Sequence, residues 1–197
     1  MANKQSNAKK SKAKKGSKKR SSRRNKTQAG GDNETEDEML ARVQKIYDED
    51  RDINELNKAD RKGKTPLHYA SEKGYRFVVE DLIQYTAVEI NKIRERTGKT
   101  ALHYASENGH YEVVKLLLND DDIDVNIQDK KGKTALHYAS ENGHYEVVRD
   151  LLGNGGSLAI QDNEGKTPLD YKKERDTIRR LLTPGSSINA PPYDKKK

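Results

Sequence analysis

The sequence has no cysteine and no tryptophan, and only one phenylalanine. Without cysteine there is no disulfide framework, no thiolate zinc site and no cysteine nucleophile, in keeping with a reducing intracellular compartment. Without tryptophan, burial has to rest on Leu, Ile, Val, Ala and the rings of ten tyrosines. Hydrophobic residues fill 31% of 197 positions and charged residues 36%, so many small contacts are expected and one deep core is not. No apolar run approaches the roughly 20 residues of a membrane span. The charged N-terminus has no apolar stretch behind it, so a secretory signal is not expected either.

The charge is unevenly placed. Of 39 Lys and Arg, twelve fall in Met1–Gln28, which has no acid; the remaining 27 face 32 Asp and Glu, a net of −5. The arm, with Lys9, Lys10, Lys12, Lys14, Lys15, Lys18, Lys19, Arg20, Arg23 and Arg24, cannot bury enough apolar surface to offset its ordering entropy, and is expected to be disordered. Three roles are open to it: nucleic-acid contact, a nuclear import signal in a eukaryotic cell, or a solvated tether. No aromatic residue is interleaved for base stacking, so any nucleic-acid contact is expected to be nonspecific and salt-sensitive. The acidic stretch "GGDNETEDE", Gly30 to Glu38, reads as a linker that becomes the charged first turn of a helix at Met39, where acids favour the N-terminal end.

Beyond it the chain repeats itself. "GKTALHYASENGHYEVV" stands at Gly98–Val114 and again, unchanged, at Gly132–Val148. Variants start at Gly63 ("GKTPLHYASEKGYRFVV") and Gly165 ("GKTPLDYKKERDTIRRLL"), so the spacings are 35, 34 and 33 residues. Within a unit, Thr followed by Pro or Ala opens a short helix, Pro66 to about Lys73 in the first copy. Gly74, Gly109 and Gly143 suit left-handed helix ends, and a second helix follows with Val113, Val114, Leu116, Leu117 and Leu118 at helical spacing. The polar "DVNIQDKKGK" between units suits a projecting loop.

These residues resemble the ankyrin repeat: Thr65-Pro66-Leu67-His68, then Ala70, Gly74 and a Val/Leu helix, with Val125-Asn126 and Asp129 ahead of the next glycine. The resemblance implies an all-α ankyrin-repeat solenoid. Residues 39–62 would form a leading half-repeat that caps the N-terminal end, with Leu56-Asn57 and Asp60 aligned to Val125-Asn126 and Asp129. Three repeats follow at 63–97, 98–131 and 132–164, then a C-terminal capping repeat at 165–182 with Asp170 in place of the histidine. Residues 1–38 would be arm and acidic linker, and 183–197 a loose tail. One such unit cannot bury its own apolar face, whereas stacked neighbours can, so the duplication supplies a core.

Members of this family are generally non-enzymatic protein-binding scaffolds, and the resemblance implies the same here, with a protein partner, no cofactor and no metal; a monomer is expected, the oligomeric state being left open by the sequence. His68, His103, His137 and the second row His110, His144 recur one repeat apart, unlike a single catalytic constellation. The resemblance makes the first row structural, bonding around the turn threonine. Ser71, Ser106 and Ser140 lack an orienting Asp at fixed spacing and read as small packing residues.

By position, the partner-binding loop tips are Arg61, Lys62 and Lys64; Arg96, Thr97 and Lys99; Lys130, Lys131 and Lys133; and Asn163, Glu164 and Lys166. The helix ledge beside them carries Glu72 and Lys73, Glu107 and Asn108, Glu141 and Asn142, and Glu174 with Arg175. The first three tips read as a positive ridge. Either it meets an acidic stripe on a partner or it is a solvated face. The alternative function, from a different class, is a nucleic-acid-associated protein that uses the arm while the repeats recruit a second partner. The expected location is intracellular, cytoplasmic or nuclear.

Overall fold

The structure, a computed structural model, describes residues 34–48, 53–84 and 88–171. The expectations for the basic arm, for 172–182 with Glu174 and Arg175, and for the tail lie outside these residues. Among the described residues there are seven α-helices, two short 3-10 turns and no strand. The all-α repeat architecture is as expected.

Each central repeat is a helix, a left-handed glycine and a second helix. The pairs are α2 (Pro66–Lys73) with α3 (Arg76–Ile83), α4 (Ala101–Asn108) with α5 (Tyr111–Leu118), and α6 (Ala135–Asn142) with α7 (Tyr145–Gly153). Thr65 and Thr100 sit extended ahead of their helices and accept the backbone N–H of His68 and His103. The threonine N–H donates in turn to the histidine Nδ1, at 3.1 Å in both repeats, and Thr134 and His137 repeat that bond. This is a capping box with histidine where Glu or Gln is usual. Gly109 then ends α4 at φ +71, and a Cβ there would lie 2.5 Å from Nδ1 of His144. The position requires glycine twice over, for its backbone and for the imidazole beside it.

Stacking aligns the apolar positions into one core. Leu67, Leu102 and Leu136 form one row, Ala70, Ala105 and Ala139 a second, and Leu82, Leu117 and Leu151 a third, all buried. Helix α4 packs between α2 and α6, while α3, α5 and α7 make a second layer. Each buried Leu removes enough apolar surface from water for roughly 1.5–3 kcal/mol, so the thin composition suffices once repeats pool their faces. Ser71, Ser106 and Ser140 are fully buried, as packing residues would be, and their hydroxyls have no hydrogen-bond partner.

The two ends differ from the sequence reading in detail. Helix α1 (Glu36–Asp48) begins before Met39, because Thr35 and Glu38 cap it reciprocally: Glu38 N–H donates to Thr35 Oγ1 at 3.3 Å, and Thr35 N–H to the Glu38 carboxylate at 3.0 Å. The end of the acidic stretch is thus built into the stack. Tyr75 donates its hydroxyl to the Glu34 carbonyl at 2.7 Å, and Arg42 pairs with the Glu34 carboxylate at 3.0 Å. At the other end, Thr167 opens only a 3-10 turn, Pro168–Asp170, where the Asp170 carboxylate takes the Thr167 N–H at 2.8 Å. A carboxylate reproduces the capping half of the histidine's role but has no N–H to pass on.

Candidate interaction surface

The histidines are clasps between repeats. With Nδ1 accepting from threonine, Nε2 carries the proton, and it donates to the carbonyl of the residue after the next tip's glycine: His68 to Lys99 at 3.1 Å, His103 to Lys133 at 3.0 Å, His137 to Lys166 at 3.1 Å. The second row clasps backwards, His110 to Glu72 and His144 to Glu107, each at 3.0 Å. Burial pushes His68 down to about 4, and it lowers His103 and His137 as well. These imidazoles are neutral connectors, which agrees with the structural role.

The tips are held by aspartates. Asp129 accepts the N–H groups of Lys131 and Lys133 at 2.8 and 3.0 Å and the Tyr138 hydroxyl at 2.7 Å. Asp60 does the same with Lys62, Lys64 and Tyr69, and Asp162 with Glu164, Lys166 and Tyr171. Burial alone would raise the Asp60 carboxyl, but the bonds from Lys64, Tyr69 and Lys62 outweigh it and hold it below its ordinary value. At the second tip Arg94 stands in the aspartate's place and donates to the Tyr104 hydroxyl and to the Lys62 carbonyl, both at 2.9 Å. Neighbouring tips are also joined through the backbone: Lys130 N–H to Thr97 carbonyl and Asn163 N–H to Lys131 carbonyl, both 2.9 Å.

One part of the expected ridge is corrected. Lys64, Lys99 and Lys133 turn inward and pair with Glu72, Glu107 and Glu141 of the ledge, the last two pairs at 2.6 Å. Each ammonium also lies between tyrosine rings of successive repeats. Lys99 is 5.5 Å from the Tyr104 centroid and 4.0 Å from that of Tyr138, and Lys133 is 5.4 and 4.8 Å from Tyr138 and Tyr171. Burial opposes the charge on Lys133, yet the bonds to Glu141 and Tyr171 raise its pKa. Two exposed residues of the ledge bond to their own helices. Asn108 and Asn142 donate to the carbonyls of Tyr104 and Tyr138 at 2.9 and 3.0 Å.

What stays exposed is narrower: Arg61, Lys62, Arg96, Lys130 and Lys131 on the tips, with Lys73, Asn108 and Asn142 on the ledge. Thr97 is half-buried, its hydroxyl accepting the Lys99 N–H at 3.3 Å. The fourth tip contributes no net basic patch, since Lys166 pairs with Glu164 at 2.6 Å. The aspartate and tyrosine of the tip frame recur nine residues apart in three units, a spacing that would have exposed them as a pair. Among the described residues, no group of His, Cys, Asp or Glu is arranged to hold a metal ion, and no helix is long and apolar enough to cross a membrane.

Stacked helix pairs, capped by Thr–His and linked by projecting tips, are the geometry of one repeat class, and two family models agree. Ankyrin repeats in a three-copy form match residues 35–129, and in a many-copy form residues 116–171. The chain belongs to the ankyrin-repeat family, whose members are generally protein–protein interaction modules and typically non-enzymatic. No curated protein matches the sequence.

Proposed function

We propose that this chain is a non-enzymatic scaffold that holds a protein partner on its loop tips and the concave face beside them. The observation that carries this reading is the tip row itself. Five exposed cations sit on turns fixed by Asp60, Arg94 and Asp129 and tied to one another by the Arg94–Lys62 bond and the Lys130–Thr97 backbone bond, so the row is rigid before any partner arrives. Preorganisation of that kind lowers the entropy cost of binding, and like-signed charges select and steer an acidic surface. The inward lysines and the histidines hold this row and do not contact the partner. The scaffold works as a monomer inside cells, cytoplasmic or nuclear, without cofactor.

The test is capture from lysate by the full chain and by Lys130→Glu/Lys131→Glu, with circular dichroism checking that both are folded. The expected result is a discrete protein held by the first and markedly weakened on the second. Equal capture would remove the tips from the interface. A second reading rests on Met1–Gln28, whose twelve basic residues and no acid suit a polyanion: there the arm contacts nucleic acid and the repeats recruit a second partner.

A further inference from the structure

The partner's chemistry is written most clearly at the second tip, which differs from the others in three ways. It is one residue longer, with Gly98 four positions after Arg94 where Gly63, Gly132 and Gly165 are three after their aspartates. It is bolted on both sides, through Arg94 to the Lys62 carbonyl and through the Thr97 carbonyl to the Lys130 N–H. And the residue before Arg94 is Ile93, 50% exposed.

Exposed apolar residues are common and mean little when scattered. Ile93 is not placed at random. The large hydrophobics exposed among the described residues are Phe77, Ile93 and Tyr145, and the other two lie at the starts of α3 and α7, away from the tips. The equivalent of Ile93 in the next repeat is Gln128, whose amide donates to the Gly132 carbonyl of its own tip at 2.7 Å and to the Gln161 carbonyl at 3.0 Å. That row therefore lies against the tips. Ile93 replaces a bonding amide with a bare aliphatic side chain, and Arg61 and Lys62, Arg96, and Lys130 and Lys131 occupy the three tips around it, with Glu95 as the one exposed acid.

We infer that Ile93 is the apolar anchor of this surface, and that the partner presents a segment in which acidic residues flank one aliphatic side chain. This rests on the scaffold reading and names the partner's chemistry. Burying two aliphatic groups against each other removes both from water, and the flanking carboxylates meet the tip cations at the solvated rim. A nucleic acid fits less well. Its bases stack on exposed rings, whereas Tyr69, Tyr104 and Tyr138 on this side are 4% exposed and occupied by lysines.

The experiment uses the full chain, isotope-labelled at amides and isoleucine methyls, and three probes: a short Asp/Glu peptide with one central Leu, the same peptide with Ala, and a short single-stranded deoxynucleotide. The Leu peptide is expected to shift the Ile93 methyl and the Arg96 and Lys130 amides and to bind about tenfold more tightly than the Ala peptide. Ile93→Ser is expected to erase that difference while leaving the Ala peptide's affinity unchanged, whereas Arg96→Glu weakens both. Equal affinity for the two peptides, an unmoved Ile93 methyl, or tighter binding of the deoxynucleotide at the same amides would overturn the inference. A captured protein that is lost from Lys130→Glu/Lys131→Glu yet keeps its affinity for Ile93→Ser would overturn the anchor and leave the scaffold reading standing.

Discussion

His68, His103 and His137 each take two donors from a threonine at Nδ1 and give one to the next repeat from Nε2, and both nitrogens are committed only while the ring is neutral. A proton on Nδ1 would face the threonine N–H, so acid is destructive here. The sign follows from burial: the folded pKa lies below the unfolded value of about 6.5, so the unfolded chain binds more protons as pH falls. The stabilisation is complete above that value and is lost on the way down toward the His68 pKa of about 4. For His68 alone the loss reaches about 3 kcal/mol at the acid end. Denaturant midpoints are therefore expected to be flat above neutrality and to decline between about pH 6.5 and 5, with a shallower decline in His103→Gln. A midpoint constant across that window would refute the neutral clasp. The three inward lysines make the complementary point about what can be read in advance. Their recurrence after the tip glycine is plain in the sequence, but a four-carbon stem can reach water or a ring with equal ease. Only the placement of the next repeat's tyrosine decides between them, and that contact spans some forty residues: Lys64 with Tyr104, 5.1 Å to the centroid.

The central helices were legible because their boundaries are local chemistry. Threonine caps, Pro66 at the first position and the left-handed glycines fix α2, α4 and α6 within each unit, and the structure returns Pro66–Lys73 unchanged. The start of α1 was not, because "ETEDE" reads equally as linker or as a capping box until Glu34 is seen docked on Tyr75. The second tip was legible only as a loop. Its extra residue and the exchange of aspartate for Arg94 make sense once the guanidinium is seen reaching back to Lys62 and Thr97 is seen taking the Lys99 N–H. The tightness of that element can be measured. Gly63 and Gly98 have φ +78 and +76, so alanine at either carries the left-handed penalty of roughly 1–2 kcal/mol. At Gly63 the nearest atom to a new Cβ is the Arg94 side chain at 3.6 Å, whereas at Gly98 it is the Lys130 backbone nitrogen at 2.8 Å. Gly98→Ala should therefore lose roughly 1 kcal/mol more than Gly63→Ala in chemical denaturation, because the clash pushes on the bond that joins tips two and three. Equal losses would mean that the junction is slack.

At the scale of the molecule, the same contacts that replace a large core also present the surface. The central repeats are clasped forwards by His68, His103 and His137, the second and third also backwards by His110 and His144, and the stack is roofed by an alternating row of lysine ammoniums and tyrosine rings and tied at the tips by hydrogen bonds. A nearest-neighbour architecture of this kind is stable only as a stack, and its rigidity is what makes the exposed cations a fixed pattern. The repeats carry a net acidic charge with a basic tip row, and the arm is wholly basic, with twelve Lys and Arg and no acid, so two parts of one chain compete as the seat of function. The measurement that separates them is the affinity of a captured partner for the full chain and for the chain without Met1–Gln28, at low and moderate salt and after nuclease treatment. The account predicts the same protein bound to both with equal affinity, untouched by nuclease. Binding that needs the arm and vanishes with nuclease or modest salt would contradict it and move the function from the repeats to the arm.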